Sequence, residues 1–266
     1  MAPAARLGLR LASTGTVGVV RQLLPEPLEN VDPSVLHASH HRSSPRHRPW
    51  VALNMVASID GATQVEGRSG GLGGPADREM FLALRSIADV ILVAAGTVRT
   101  ERYGPPTSTP QRREERLARG QTDTPRLAIV SGSLDLDLEA PLFTEATQPP
   151  LVITGPPADP SRAGDVARVA ELVLAGDGGR VDLAVALSEL SARGVDIVLA
   201  EGGPSLNGQL CAGQVVDELN LSVSPVIAGP GAKGLTSGPP QPAPVNMRLS
   251  HVLTADGFLF LRYVSD

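Results

Sequence analysis

Cysteine is almost missing from this 266-residue chain: Cys211 stands alone. A disulfide framework and a cysteine-rich zinc site are excluded, and a reducing cytoplasm fits. Aromatic residues amount to 3%, so aliphatic side chains must fill the core. No apolar run approaches the ~20 residues that span a bilayer. The mildly apolar stretch Leu11 to Val20 is broken by Thr14, Gly15, Thr16 and Gly18, with no small-residue cleavage site after it, and reads as an arm. Positive charge is short as well. The formal net charge of −5 disfavours nucleic acid and anionic lipid as partners. A cytoplasmic protein acting on a small molecule is the expectation.

Familiar catalytic motifs are also lacking. There is no Ser-His-Asp elbow, no H-E-x-x-H, no G-x-G-x-x-G and no phosphate loop ending in Gly-Lys-Ser/Thr. Four of the five histidines fall between His37 and His47 in a polar, basic stretch. The i, i+4 spacing of His37 and His41 allows a metal site, but no cysteine or acid accompanies them, so the stretch reads as a solvated linker and no metal is expected. His251 is expected to pack on a terminal hairpin. These absences argue against hydrolase and metalloenzyme chemistry. Hydride transfer demands less of side chains, because the cofactor carries the reactive atom.

Regular structure is expected from Trp50 onward. Trp50 to Val56 reads as a buried strand, and Pro75 suits the first turn of a helix whose apolar positions are Met80, Leu84 and Ile87. Val90 to Ala94, Arg126 to Val130, Leu151 to Thr154, Glu171 to Leu174 and Val195 to Ala200 are short apolar runs of the kind found in sheets covered on both faces. Asp182 caps a predicted helix that Gly194 ends. A short helix is expected around Leu206 to Ala212. Glu218 to Val223 alternates strictly, which predicts one covered face. Gln111 to Gly120 reads as a solvated surface helix. Asp256-Gly257 marks a hairpin between His251–Thr254 and Phe258–Val264. Strands alternating with helices predict an α/β fold with a mostly parallel central sheet flanked by helices, plus a C-terminal antiparallel hairpin.

Ligands of such sheets bind beyond the carboxyl ends of the strands. Here the strand exits are Gly96-Thr97, Ser131-Gly132, Thr154-Gly155 and Glu201-Gly202-Gly203-Pro204-Ser205. Glycine lets a backbone approach a phosphate closely, and a helix N-terminus offers unpaired N–H groups. Together they favour a nucleotide site.

Three segments then carry a family resemblance. Asn54-Met55-Val56-Ala57-Ser58-Ile59-Asp60-Gly61, Leu84 through Arg99, and Glu201-Gly202-Gly203-Pro204-Ser205-Leu206-Asn207 resemble, in order, the motifs of the reductase domain of riboflavin biosynthesis. Asp217-Glu218-Leu219 through Ser224-Pro225-Val226 follows as it does there. The resemblance covers most of residues 50–264 and is nearest to standalone actinobacterial pyrimidine reductases. It implies a dihydrofolate-reductase-like fold over residues 49–266, behind an N-terminal arm and linker at 1–48 that is too short for the zinc deaminase of bifunctional members. It implies NADPH as cofactor, a homodimer, and reduction of 5-amino-6-ribosylaminouracil 5′-phosphate to the ribitylamino product. The alternatives are reduction of a pterin such as dihydrofolate, and a non-catalytic NADPH-binding module.

Carried over residue by residue, the resemblance implies cofactor contacts at Gly96, Thr97, Glu101, Ser131, Gly202, Gly203, Pro204, Ser205, Leu206 and Asn207. It implies substrate contacts at Ser69, Arg85 and Glu201. Arg85 is either a phosphate partner or a surface arginine. Glu201 either bonds ring or ribose N–H and O–H groups or accepts backbone N–H bonds in its turn. Glu66 is a candidate acid for a pterin ring, or a plain loop acid. The chain departs from the family at Asn54, where lysine is frequent, near Gly71-Leu72, where tryptophan is frequent, and at Glu101 to Pro105. All three lie on the expected substrate side.

Overall fold

Apolar runs alternating with amphipathic helices build one ten-stranded sheet. The structure is a computed structural model and describes residues 18–45, 47–156, 159–177, 180–229, 234–238 and 240–266. The part of the arm reading that concerns residues 1–17 lies outside them. The strands are β1 (Arg21–Leu24), β2 (Trp50–Ser58), β3 (Val90–Ala94), β4 (Arg126–Val130), β5 (Leu151–Thr154), β6 (Glu171–Leu174), β7 (Ile197–Ala200), β8 (Glu218–Ser224), β9 (Met247–Ala255) and β10 (Phe258–Ser265). The helices are α1 (Pro33–Ser39), α2 (Pro75–Ile87), α3 (Ala95–Glu101), α4 (Pro110–Ala118), α5 (Pro141–Thr144), α6 (Pro160–Val166), α7 (Leu183–Ala192) and α8 (Pro204–Ala212).

The sheet order is β1-β9-β10-β8-β2-β7-β3-β4-β5-β6. From β8 to β6 neighbouring strands are parallel; β10 is antiparallel to β8 and β9, and β1 to β9. Successive side chains on a strand point to opposite faces. Val90 and Leu92 accordingly join Leu187, Leu190, Leu206 and Leu210 on one face, while Ile91 and Val93 join Val98, Phe143 and Val166 on the other. Burying each such side chain contributes roughly 1.5–3 kcal/mol. The helix ends follow local chemistry. Pro75 and Pro204 occupy first-turn positions, and the Asp182 carboxylate accepts from the Ala184 and Val185 N–H groups.

The structure corrects three expectations and adds a detail to another. Regular structure begins before Trp50, with β1 and α1. The stretch from His37 to Arg48 is not a solvated linker: His37 is 1% exposed, and Arg42 grips Glu218 through Nε and Nη2, each at 2.9 Å. The alternation of β8 is real, but the side it buries is the polar one, Glu218, Asn220, Ser222 and Ser224. The helix after Thr109 is only partly solvated. Its Arg116 is fully buried and donates to the carbonyls of Ser86 and Ala88 past the end of α2, where a cation meets unpaired carbonyls.

One polar network explains the first three. Glu218 is buried at 0% and receives Arg42, Arg262 Nη2 at 2.9 Å and the Trp50 indole N–H at 3.1 Å. Its carboxyl is held far below the usual carboxylate range: burial opposes this, and the two guanidinium groups overcome it. Removing one member of such a buried pair typically costs about 3–5 kcal/mol. Beside it, Arg48 pairs with Asp217 at 2.6 Å and 2.8 Å. The segment before β2 is therefore fastened to β8 by charge, through partners about 170 positions away in the chain.

His37, His40 and His251 meet in the same region. His40 Nε2 lies 3.0 Å from His251 Nδ1, and those two rings stack at 4.9 Å. Burial, aided by neighbouring cationic groups, lowers the His37 pKa well below its ordinary value, that of His40 to about 4 and that of His251 to about 3. Folded, these rings stay neutral; unfolded, each protonates near its ordinary pKa of about 6.5. Stability is therefore full above that pH and falls as the pH drops below it, by roughly 1.4 kcal/mol per pH unit for each ring. The melting temperature should be level from pH 8 to 7 and fall steadily from about pH 6.5 to 5. His251→Asn should flatten that slope in a thermal scan; an unchanged slope would refute the assignment.

Candidate active site

The site lies where two neighbouring strands part. β2 and β7 are paired from Trp50↔Ile197 to Leu53↔Ala200. Beyond that point β2 continues along β8 as far as Ser58↔Ser224. The chain leaving β7 turns instead toward β3, with the Glu201 N–H on the Leu92 carbonyl at 2.9 Å and the Ala94 N–H on the Gly202 carbonyl at 2.8 Å. The parting opens a cleft at the carboxyl ends of the strands.

Three adjoining cavities form a continuous groove there. The inner one, about 240 Å³, is lined by Asn54, Met55, Ser69, Asp77, Arg78, Phe81, Tyr103 and Glu201 among others. The middle one, about 420 Å³, shares Met55, Ser69, Tyr103 and Glu201 and adds Gly96, Thr97, Glu101, Gly203, Pro204 and Ser205. The outer one, about 520 Å³, runs over Gly96, Ser131, Gly132, Ser205 and Leu206 to Arg180. A larger cavity of about 570 Å³ opens at the opposite ends of the strands, near Asp89 and Asp196, away from these glycine exits.

The middle and outer cavities suit a dinucleotide. A Cβ on Gly96 would meet nothing within 4 Å, so the backbone there is bare toward the groove. Gly202 has φ +83°, a conformation that favours glycine, and a Cβ on Gly203 would lie 2.7 Å from Thr97 Oγ1. The two strand exits therefore touch with no room for a side chain between them. Gly203 caps α8 without a side-chain acceptor, leaving the first-turn N–H groups of Ser205 and Leu206 to a ligand anion. Ser131 is 3% exposed, and its hydroxyl accepts from the Leu134 N–H at 3.0 Å, shaping the turn under the outer cavity.

Other expected residues are placed differently. Asn207 is 1% exposed and donates to the Leu235 carbonyl at 3.0 Å and toward Met55 Sδ at 3.1 Å, beneath the groove floor. Glu101 accepts the Ser69 N–H at 2.9 Å and so fixes the loop that roofs the cleft. Glu66 stands exposed at φ +51° on the tip of the Val65–Arg68 turn and lines none of the three cavities.

Arg85 and Glu201 come together. Arg85 Nε and Nη2 hold the two Glu201 oxygens at 2.7 Å each, and the Tyr103 hydroxyl donates to Oε2 at 2.7 Å. The guanidinium also lies 4.1 Å from the centre of the Phe81 ring. Burial alone would pull the Arg85 pKa down, but adjacent Glu201 raises it overall. Burial and the same carboxylate push the Tyr103 phenol well above its usual value. Arg85 is thus held to Glu201 through Nε and Nη2 rather than lying free on the surface. Glu201 is fixed by side chains rather than by backbone N–H groups.

Sequence reasoning passed over Asp77 and Arg78 and met Tyr103 only within the divergent stretch Glu101 to Pro105. The first two are the third and fourth residues of α2, where polar residues usually serve only the helix start; their place in the cleft depends on how α2 lies across the sheet. Arg78, exposed, is the cation that lines the inner cavity among the described residues.

Comparisons with known proteins agree with this geometry. The model of the RibD C-terminal domain matches residues 49–259. A 2,5-diamino-6-ribosylamino-4(3H)-pyrimidinone 5′-phosphate reductase of Aquifex aeolicus is 31% identical over 188 residues, covering 68% of this chain and 79% of that protein. The enzyme of the same name from Methanothermobacter thermautotrophicus is 28% identical over 182 residues, covering 68% and 80%. A pyrimidine reductase-like protein from Corynebacterium diphtheriae superposes with a TM-score of 0.78 at 27% identity, covering 89% of this chain and 99% of that one. Fold and cleft thus define a reductase with a mixed α/β sheet covered by helices. More narrowly, the chain belongs to the RibD C-terminal domain family, the reductases of riboflavin biosynthesis.

The bare backbone at Gly96 gives a direct test. Gly96→Val should leave thermal stability within about 1 kcal/mol, since the added atoms meet no protein and an exposed substitution seldom costs more. The same change should weaken binding of a reduced nicotinamide dinucleotide at least about tenfold in a fluorescence titration, and unchanged affinity would refute a dinucleotide site at Gly96.

Proposed function

We propose that the chain is an NADPH-dependent reductase that converts a ribosylaminopyrimidine 5′-phosphate to its ribitylamino form. The carrying observation is the continuous groove: glycine-lined strand exits along the middle and outer cavities, opening directly into a polar inner cavity with Arg78 at its wall. A nicotinamide ring laid over Gly96 and Gly203 would face the inner cavity. The residues that fit the cofactor are Gly96 and Thr97, the first turn of α8, and the turn at Ser131. Arg180 adds positive charge at the far end of the groove.

When bound, NADPH would supply the hydride for this reduction, and a proton would complete it. The chain positions the two partners. Glu201 accepts from ribose hydroxyls while Arg85 and Tyr103 hold its carboxylate still. Arg78 pairs with the 5′-phosphate. The loop at Ser69, tethered by Glu101, helps to keep water out of the cleft. A cytoplasmic location accords with the near absence of cysteine.

A homodimer is part of this reading. Leu219, Leu221 and Val223 on β8 share a face with Leu259, Leu261 and Tyr263 on β10, and that face is only partly covered; Leu259 is 39% exposed. A row of this kind is what a second copy would bury. Light scattering at micromolar concentration should report a dimer, and Leu221→Glu should give monomers; a wild-type monomer would remove this part of the proposal.

The activity is read by NADPH oxidation with the purified chain and a ribosylaminopyrimidine phosphate. Turnover is expected, and Arg78→Ala should raise the substrate KM about 10–100-fold while NADPH affinity stays the same, because a charge-assisted phosphate contact is lost. NADPH binding without turnover on any pyrimidine or pterin would favour a non-catalytic module.

A further inference from the structure

Three imidazoles gather outside the groove: none of His37, His40 and His251 lines its cavities. One ring nitrogen of each lies within 4.8 Å of one from each of the others. His37 sits on α1 and His40 just past its end, three positions on; His251 comes from β9. Nitrogens held about 2.0–2.1 Å from one ion stand roughly 3.4 Å apart, so small ring rotations would close the set on an ion. His41, which the i, i+4 spacing had paired with His37, is not part of the set; its Nε2 meets Ser43 Oγ at 2.6 Å. A second observation points to a ligand. His37 is buried, and its Nδ1 has no hydrogen-bond partner among the described residues. Its Nε2 lies 3.2 Å from Met80 Sδ. With Nε2–H turned toward the sulfur, Nδ1 keeps an unused lone pair in the interior, which is costly until something binds it. The turn that carries two of the rings is anchored. Arg42 Nη1 donates to the His37 carbonyl at 2.7 Å and the His40 carbonyl at 3.4 Å, while Nε and Nη2 hold Glu218. His40 is half-buried and lines the cavity of about 570 Å³, which gives an ion a way in.

We propose that His37, His40 and His251 form a binding site for a single soft transition-metal ion, Cu⁺, which clasps α1 to β9. The site is independent of the reductase reading. Its ligands are all imidazole, and the thioether of Met80 lies beside them. Nitrogen and sulfur donors suit late transition metals, whereas Mg²⁺ and Ca²⁺ require oxygen ligands. Charge narrows the choice further. Arg42 and Arg262 both act on the rings, and Glu218 offsets only one of these cations. No carboxylate among the three ligands neutralises an incoming dication. A monovalent ion meets half the repulsion that Zn²⁺ would meet at the same place.

The test uses the full chain without an affinity tag, stripped with a chelator and titrated anaerobically with Cu⁺ against a coloured Cu⁺ chelator. The pH dependence given above for these rings holds for the stripped chain. One equivalent of Cu⁺ should bind, and the melting temperature should rise as it does. Losing a ligand should cost at least what losing an outer-shell partner does, about tenfold in affinity. His251→Asn and His40→Gln should each show that loss, while His41→Asn should bind as wild type does. His40 is half-buried, so its replacement still tests the site if His251→Asn does not fold, which circular dichroism reports. Zn²⁺ should compete weakly and Mg²⁺ not at all. No Cu⁺ binding at micromolar ion, or equal binding by wild type and folded His40→Gln, would overturn the site and leave the rings as packing alone. Zn²⁺ held as tightly as Cu⁺ would overturn the choice of a monovalent ion. NADPH affinity and turnover, followed alongside, should be the same in wild type and His40→Gln, so the metal site and the reductase reading stand or fall separately.

Discussion

The separation of β2 from β7 beyond Leu53 and Ala200 is the constraint on which the cleft depends. Two parallel strands that remained paired would close the sheet and leave no room between Asn54 and Glu201. The parting is kept because each strand finds another partner. β2 completes its ladder with β8, and the chain after β7 bonds back to β3 through Glu201 and Gly202. The Glu201 and Ala94 N–H groups at the parting are thereby paired, where a stranded buried donor would cost about as much as a lost hydrogen bond. The Arg85–Glu201–Tyr103 cluster then bridges α2, the segment after α3 and the exit of β7, so the cleft wall is fixed from three sides.

Charge performs a second structural task at the far side of β8. Burying Glu218 without compensation would be prohibitive, and the chain supplies Arg42 from the segment before β2 and Arg262 from β10. This ties the early segment, the antiparallel strands and the parallel sheet into one body. Ser222 and Asn220 follow Glu218 on the same face of β8. The polar side of that strand thus serves the salt-bridge network at one end and the substrate cavity at the other. An apolar strand would have packed α2 well but would have offered Asp77 no hydroxyl of the kind Ser222 donates.

The groove divides into halves with different sequence character. The dinucleotide half is built from backbone: glycines, a helix start and short hydroxyl side chains. Its requirements are steric and local, so they leave compact motifs. The substrate half is built from side chains on β2, α2, the segment after α3 and the exit of β7. These are spread over about 150 positions, from Asn54 to Glu201. Of the departures from the family pattern, Asn54 and Tyr103 line this half.

Much of the fold was legible in the sequence. Strand runs such as Val90 to Ala94, the Pro75 and Asp182 helix starts and the Asp256-Gly257 hairpin follow from local periodicity and backbone chemistry, which the chain expresses residue by residue. The glycine strand exits were legible for the same reason. Tertiary structure alone decided the rest. His37 and Arg42 look solvated until β8 and β9 bring Glu218 and His251 beside them; β8 alternates in either case, and only its neighbours settle that the polar side goes in. Arg85 and Glu201 lie 116 positions apart, and no local pattern shows that they pair. Sequence fixes what each segment prefers to be, because propensity and capping act within a few residues. Which charges meet depends on long-range packing that no local pattern records.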